Sequence, residues 1–135
     1  MAQSFQTPGP WGTGAQQAGY SQAVSLPANS RVAITAGQPG IDLKTGNVVT
    51  TSLTDQIEAV FDTLDSALQA AGVKDGMHSA YKMTCFFMDM RDETAMLEIF
   101  RKRYPNTRPA LVSVAVSGLA LQGMFLEVQA EAVVS

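Results

Sequence analysis

From Met124 to Val134 the chain alternates: Met124, Leu126, Val128, Ala130, Ala132 and Val134 are apolar, and Glu127, Gln129 and Glu131 stand between them. Apolar residues at every second position over that length specify a strand with one face in a core, because successive side chains of an extended chain point to opposite sides. Ala110, Val112, Val114 and Val116 repeat the period, leaving Leu111, Ser113 and Ala115 for the other face. The last quarter therefore reads as two strands joined by a glycine-bearing loop. Phe125 and Val133 share a face with Glu127, so that face is expected to be covered in part, by loops or by another subunit. Glu127 then has two readings. It is either a carboxylate on a solvated outer sheet face, or, under partial cover, an acid, base or water-positioning group whose pKa burial raises towards working pH.

At 135 residues the chain is long enough for one core and one domain. Only 16% of its residues are charged, a sparse surface that points to self-association. The net charge of −3 argues against a nucleic-acid partner, since its field repels phosphate. The one basic run, Arg101 to Arg103, suits the end of a helix. One cysteine, Cys85, excludes an intrachain disulfide and a cysteine metal cluster, and one histidine, His78, excludes a histidine-rich metal site. Cys85 lies in an apolar run and reads as a buried, inert thiol; His78 reads as exposed in a loop. No stretch reads as a signal peptide or membrane span, so the expected setting is cytoplasmic, without a membrane partner.

Residues 1–19, rich in Gly, Pro, Gln and Ser, are expected to form an extended segment anchored by Trp11, ahead of a single domain over residues 20–135. Residues 20–26 and 31–36 read as a hairpin, and residues 48–51 as a third strand. Gly37 and Gln38 sit in a Gly-Gln-Pro-Gly interruption that makes a bulge, a tight turn or a loop closely approaching a ligand. Ser52 and Asp55 have capping-box spacing ahead of a helical stripe of Ile57, Val60, Phe61, Leu64, Leu68 and Ala71, closed by Gly72. Asp55, Glu58, Asp62 and Asp65 fall off that stripe, on a solvated face. Residues 79–88 read as a central strand buried on both faces, and residues 93–104 as a second helix with Met96, Ile99 and Phe100 inward. The order is βββαβαββ, a two-layer α+β sandwich with one mixed sheet and both helices on one face.

These residues resemble a known family. The run Gly19 to Val24, then Ala36-Gly37-Gln38, the Lys44-Thr45-Gly46 turn, Arg108-Pro109-Ala110 and Leu126-Glu127-Val128 are similar to the Rid family, the YjgF-type reactive intermediate deaminases, across residues 19–134. The resemblance implies a chorismate-mutase-like fold assembled as a homotrimer, with small-molecule ligands held in clefts between subunits. It also implies hydrolysis of enamines or imines to carbonyl products and ammonia, with no metal and no cofactor. Within it, Tyr20 and Glu127 match the site tyrosine and the water-positioning glutamate, and Gly37 and Gln38 the substrate-binding loop. The deaminase pattern reads Arg-Pro-Ala-Arg, whereas this chain reads Arg108-Pro109-Ala110-Leu111, so Leu111 stands where an arginine grips the substrate carboxylate. Ser113 takes a position that is often cysteine. Losing such a clamp costs on the order of 2–5 kcal/mol of binding. Arg108, three residues earlier, is the candidate replacement, although odd spacing along a strand directs it to the other face. Three readings follow: a cofactor-free imine or enamine deaminase, a divergent hydrolase acting on a less anionic substrate, or a trimeric module that binds a small metabolite without turning it over.

Overall fold

A computed structural model of the chain describes residues 2–134; Met1 and Ser135, the outer bounds of the two expected segments, lie outside the described residues. The elements are β1 (Gln3–Phe5), α1 (Pro10–Ala18), β2 (Ala23–Ser25), β3 (Arg31–Ile34), α2 (Leu53–Ala70), β4 (Ala80–Phe87), α3 (Glu93–Arg103), β5 (Ala110–Ala115) and β6 (Leu126–Val134). Four strands form a mixed sheet in the order β3-β6-β4-β5, in which only β4 and β5 run parallel. The crossover between that parallel pair is α3, as parallel neighbours require. Both long helices pack on one sheet face: Ile57, Val60, Phe61, Leu64 and Leu68 of α2, with Met96 and Phe100 of α3, meet Met83, Cys85 and Phe87 of β4 and Leu126, Val128 and Ala130 of β6. This is the two-layer α+β architecture that the apolar spacing predicts.

The capping residues behave as their spacing requires. Ser52 is the N-cap of α2, its Oγ accepting the Asp55 N–H at 3.0 Å. The polar side of α2 is not simply solvated. Arg103, from the last turn of α3, reaches back to Glu58 at 3.0 Å, Asp62 at 2.8 Å and Asp65 at 3.3 Å, and the Tyr104 hydroxyl donates to Asp65 at 2.7 Å. Burial first, and the Asp65 hydrogen bond second, push the Tyr104 phenol well above its ordinary range.

Several pairings differ from the sequence reading. The expected hairpin of residues 20–26 with 31–36 does not form. β2 pairs antiparallel with β1 in a separate two-stranded ribbon, Ser21 bridges to Ala110 at the edge of β5, and β3 pairs with β6 at the opposite edge of the sheet. The turn between β2 and β3, in which the Ser30 hydroxyl donates to the Pro27 carbonyl at 2.6 Å, thus carries the chain from one side of the sheet to the other instead of reversing it. β5 and β6 are likewise not neighbours, because β4 lies between them. Residues 48–51 contribute one bridge, Ile41 to Val48, and no strand.

Four further corrections concern the first segment and burial. Residues 10–18 are helical rather than extended, with Pro10 at a first helical position where its missing N–H costs nothing. Trp11 is no anchor within the protomer, being 75% exposed. Ala71 is exposed at the end of α2, and β4 is buried on its helix face only, since Tyr81, Thr84 and Phe86 on the other side are half-buried.

Candidate active site

The sheet face turned away from the helices carries Glu127, Gln129 and Glu131 on β6. Cα registers place Lys82, Thr84 and Phe86 of β4, then Ala110, Val112 and Val114 of β5, on the same side. β3 adds Val32 and Ile34. Much of this face is bare and apolar: Ile34 is 61% exposed and Val112 55%.

The three polar residues of β6 are engaged differently. Glu131 accepts the Tyr81 hydroxyl at 2.8 Å and pairs with Lys82 at 3.2 Å. A register shift between Ala80 and Lys82 sets Tyr81 and Lys82 against that one residue, the two-against-one arrangement of a bulge. Burial, with the Glu131 hydrogen bond next, pushes the Tyr81 phenol up to about 12. Gln129 donates to the Thr35 carbonyl at 2.9 Å. Glu127, half-buried opposite Phe86, has no ion pair and accepts no hydrogen bond among the described residues. Among the described residues it is the one carboxylate of this face left uncommitted.

What lies against Glu127 is backbone. After β3 the chain stays beside β6: the Thr35 N–H donates to Ala130 at 2.9 Å, and the Gln38 N–H to Val128 at 2.8 Å. Three steps along this segment span two along β6, so Ala36 and Gly37 bulge out of the ladder. A Cβ built on Gly37 would stand 2.4 Å from Glu127 Oε2 and 2.7 Å from its Cδ, which only glycine avoids. The bulge thereby seats the Glu127 carboxylate against main chain. Gly37, Gln38 and Glu127 come together as the motifs suggest.

One residue the sequence reading missed holds this corner. Gln56, on α2, is fully buried; its Nε2 donates to the Val49 carbonyl at 2.8 Å and the Gly123 carbonyl at 2.9 Å, and its Oε1 accepts the Phe125 N–H at 2.6 Å. It ties the loops on both sides of the site to the helix. Gly40 permits this, since a Cβ there would meet the Gln56 carbonyl oxygen at 2.4 Å. The available signal was a glutamine one position before the apolar stripe of α2, where the buried flank of a helix begins.

The other sequence-identified residues lie elsewhere. Leu111 and Ser113 pair in register with Met83 and Cys85, so they face the helices and not Glu127; apolar residues occupy both phases of β5, and only its pairing with β4 decides between them. Among the described residues the buried Ser113 hydroxyl has no hydrogen-bond partner. Beside it, burial pushes the Cys85 thiol up to about 12, which leaves it unreactive. Tyr20 follows the end of α1 and adjoins Ser21, whose N–H donates to Pro109 at 2.9 Å and whose hydroxyl donates to Arg108. By strand geometry Tyr20 and Glu127 are separated by about 20 Å within one protomer, three strand spacings across and four residues along. Arg108 donates through Nη1 to the Pro105 carbonyl at 2.9 Å and the Thr107 carbonyl at 3.2 Å, at the Tyr20 end of β5. Among the described residues no three His, Cys, Asp or Glu side chains converge as metal ligands, and no helix is long and apolar enough to cross a membrane.

Comparison with known proteins adds to this geometry. The model of the family described as Endoribonuclease L-PSP matches residues 13–134. A RutC family protein of Pyrococcus horikoshii is 33% identical over 111 residues, 82% of this chain and 83% of the relative. A mouse 2-iminobutanoate/2-iminopropanoate deaminase is 29% identical over 114 residues, 84% of this chain and 80% of the relative. The crystal structure of a Rid-family protein of unknown function from Yersinia pestis superposes with a TM-score of 0.81, covering 98% of both chains at 20% identity, a likeness of fold.

Proposed function

The chain belongs to the Rid family, whose model bears the description Endoribonuclease L-PSP, and on that premise we propose that it hydrolyses imines or enamines to carbonyl products and ammonia without a cofactor. The observation that carries this reading is Glu127. It is half-buried, without an ion pair or hydrogen bond among the described residues, and seated against the Gly37 bulge. A carboxylate so placed can hold a water and take its proton as the oxygen adds to the C=N carbon. The carbinolamine then expels ammonia as the hydroxyl proton returns to nitrogen, so one water is consumed and one ammonia released for each C=N bond broken.

The working assembly in this reading is a homotrimer. The apolar outer face, with Val32, Ile34, Val112 and Val114 open to solvent, is a surface that a second copy would cover. The separation of Tyr20 from Glu127 supports the same arrangement, because a site using both needs Tyr20 from a neighbouring subunit. Leu111, turned to the helices, offers no carboxylate clamp, and in this reading the substrate is less anionic than a simple 2-imino acid. A second reading, a trimer that binds a small metabolite without chemistry, draws on the apolar neighbours of Glu127, Phe86 and Val114. The net charge of −3 and a lone His78 at the other end of β4 weigh against ribonuclease activity.

Replacement of Glu127 by alanine tests the reading. Release of ammonia from imines generated in situ by an amino-acid oxidase should fall at least about a hundredfold with assembly unchanged. A variant as fast as the parent excludes the role given to Glu127, and a parent with no activity favours the binding reading.

A further inference from the structure

Any molecule on which Glu127 acts must also touch Phe86. The two residues are direct cross-strand partners on the outer face, where facing Cβ atoms of antiparallel strands stand about 5 Å apart. On the other flank the Gly37 main chain lies against the carboxylate, leaving no room even for a Cβ. A C=N carbon within reach of a water held by Glu127 therefore lies at the Phe86 ring. Phe86 is half-buried and takes no part in the core beneath the helices. Val114, its partner on β5, extends an apolar floor, as does Met88, which follows Phe86 on the same side. The Met88 N–H donates to the Phe125 carbonyl at 3.1 Å, which continues the ladder past the end of β4, and both Val114 and Met88 are exposed.

This part of the face has no positive charge to offer an acid. Among the described residues, the one cation that the strand registers place on the outer face is Lys82, and it is bound to Glu131 at 3.2 Å. It stands four residues along β4 from Phe86, about 13 Å of strand. A carboxylate on the substrate would meet the charge of Glu127 and the negative face of an aromatic ring. A protonated imine gains from both, since its cation pairs with the carboxylate and stacks on the ring. It also enters with its nitrogen already protonated. Glu127 then has only to take the proton of the adding water and pass it to the carbinolamine nitrogen. Ammonia leaves with the C–N electron pair and takes up the hydroxyl proton, so an iminium and water give a carbonyl compound and ammonium.

We propose, on the premise that Glu127 works as described above, that the site selects cationic imines bearing an aromatic or other large apolar group and no acid group, with Phe86 as the residue that holds them. Two imines differing only in a carboxylate test this: one released by a flavin amine oxidase from 2-phenylethylamine, the other by an amino-acid oxidase from phenylalanine. With semicarbazide trapping to measure the imine, kcat/KM above the uncatalysed rate should be at least about tenfold higher for the first. Phe86→Leu keeps the apolar bulk and loses the ring, and should lower that value about fivefold with assembly and melting temperature unchanged. Benzamidine, a stable planar cation with the C–N geometry of an iminium, and benzoate, its anionic isostere, read the ligand class without turnover. In calorimetric titration of the full chain, benzamidine should bind at least about tenfold more tightly than benzoate, and Phe86→Leu should weaken it about fivefold. If neither imine is hydrolysed while benzamidine keeps this preference, the hydrolytic reading fails and the ligand class stands. Equal or faster turnover of the phenylalanine imine would overturn the proposal and give the carboxylate to a cation brought by the neighbouring subunit. So would the absence of benzamidine binding, benzoate binding as tightly as benzamidine, or a Phe86→Leu variant equal to the parent in both assays.

Discussion

Replacement of Gly37 by alanine isolates the contact on which the proposed chemistry depends. The new methyl would lie 2.4 Å from Glu127 Oε2 and 2.7 Å from Cδ, and ordinary contact begins near 3.4 Å. The carboxylate must therefore retreat by about 1 Å, a displacement that costs a positioned catalytic group roughly a hundredfold in rate. Stability should change little. Gly37 does not have a positive φ, and the atoms that must move are the free end of a side chain, which costs about 0.5–1.5 kcal/mol if it leaves its rotamer. The assay is kcat/KM for hydrolysis of an imine generated in situ, with melting temperature measured alongside. Glu127→Gln supplies the second arm of a cycle: if Gly37 acts through the carboxylate, alanine at 37 should cost almost nothing further in that background. An unchanged kcat/KM in the single variant, or fully additive losses in the double, would refute the argument that the bulge seats a working carboxylate.

Three other perturbations probe the scaffold. Gln56→Leu removes three hydrogen bonds from a buried amide to main chain and should destabilise the fold by about 3 kcal/mol in denaturant titration; a loss below about 1 kcal/mol would mean the two loops are held by other contacts. Cys85, its thiol pushed up to about 12 by burial, should resist aromatic disulfide reagents at pH 8 until the protein unfolds, so rapid labelling of the native chain would contradict that burial. Alkali should weaken the fold. Cys85 and Tyr81 have folded pKa values raised to about 12 from ordinary values of 9.0 and 10.0, and Tyr104 is raised also, so their contribution is intact below about pH 9 and lost as pH rises towards and beyond 12. A melting temperature flat from pH 9 to 12 would go against this sign.

How much of this was legible in the chain varied with the range of the interaction. Helix α2 and strand β6 could be read directly, because Ser52 announces a cap and the 3.6- and 2-residue periods each have a polar partner phase. Helix α1 carried its signals too, Pro10 at its start and Gly19 at its end, but its glycines and glutamines mask any stripe. Pairing partners were harder. Residues 20–26 and 31–36 look like a hairpin because they are adjacent, and nothing local reveals that β6 offers β3 an edge while β1 takes β2. The phase of β5 was hidden for the reason that Leu111 and Val112 are both apolar. At the site, Glu127, Gly37 and Gln38 could be named from their motifs. The support from Gln56, and the pairing of Arg103 with the acidic side of α2, depend on contacts tens of residues apart that no spacing rule encodes.

The central claim, that Glu127 works in a site completed by Tyr20 of another subunit, can be tested by mixing two inactive variants. Tyr20→Ala and Glu127→Ala chains would be prepared separately, then unfolded and refolded together in equal amounts, and the hydrolysis of imines followed by ammonia release. If each site takes its glutamate from one subunit and its tyrosine from the next, random assembly makes about one site in four wild type, and about a quarter of the parental activity should return. If no activity appears in co-assembled trimers whose parent is active, the two residues do not meet across an interface and the proposed site is wrong.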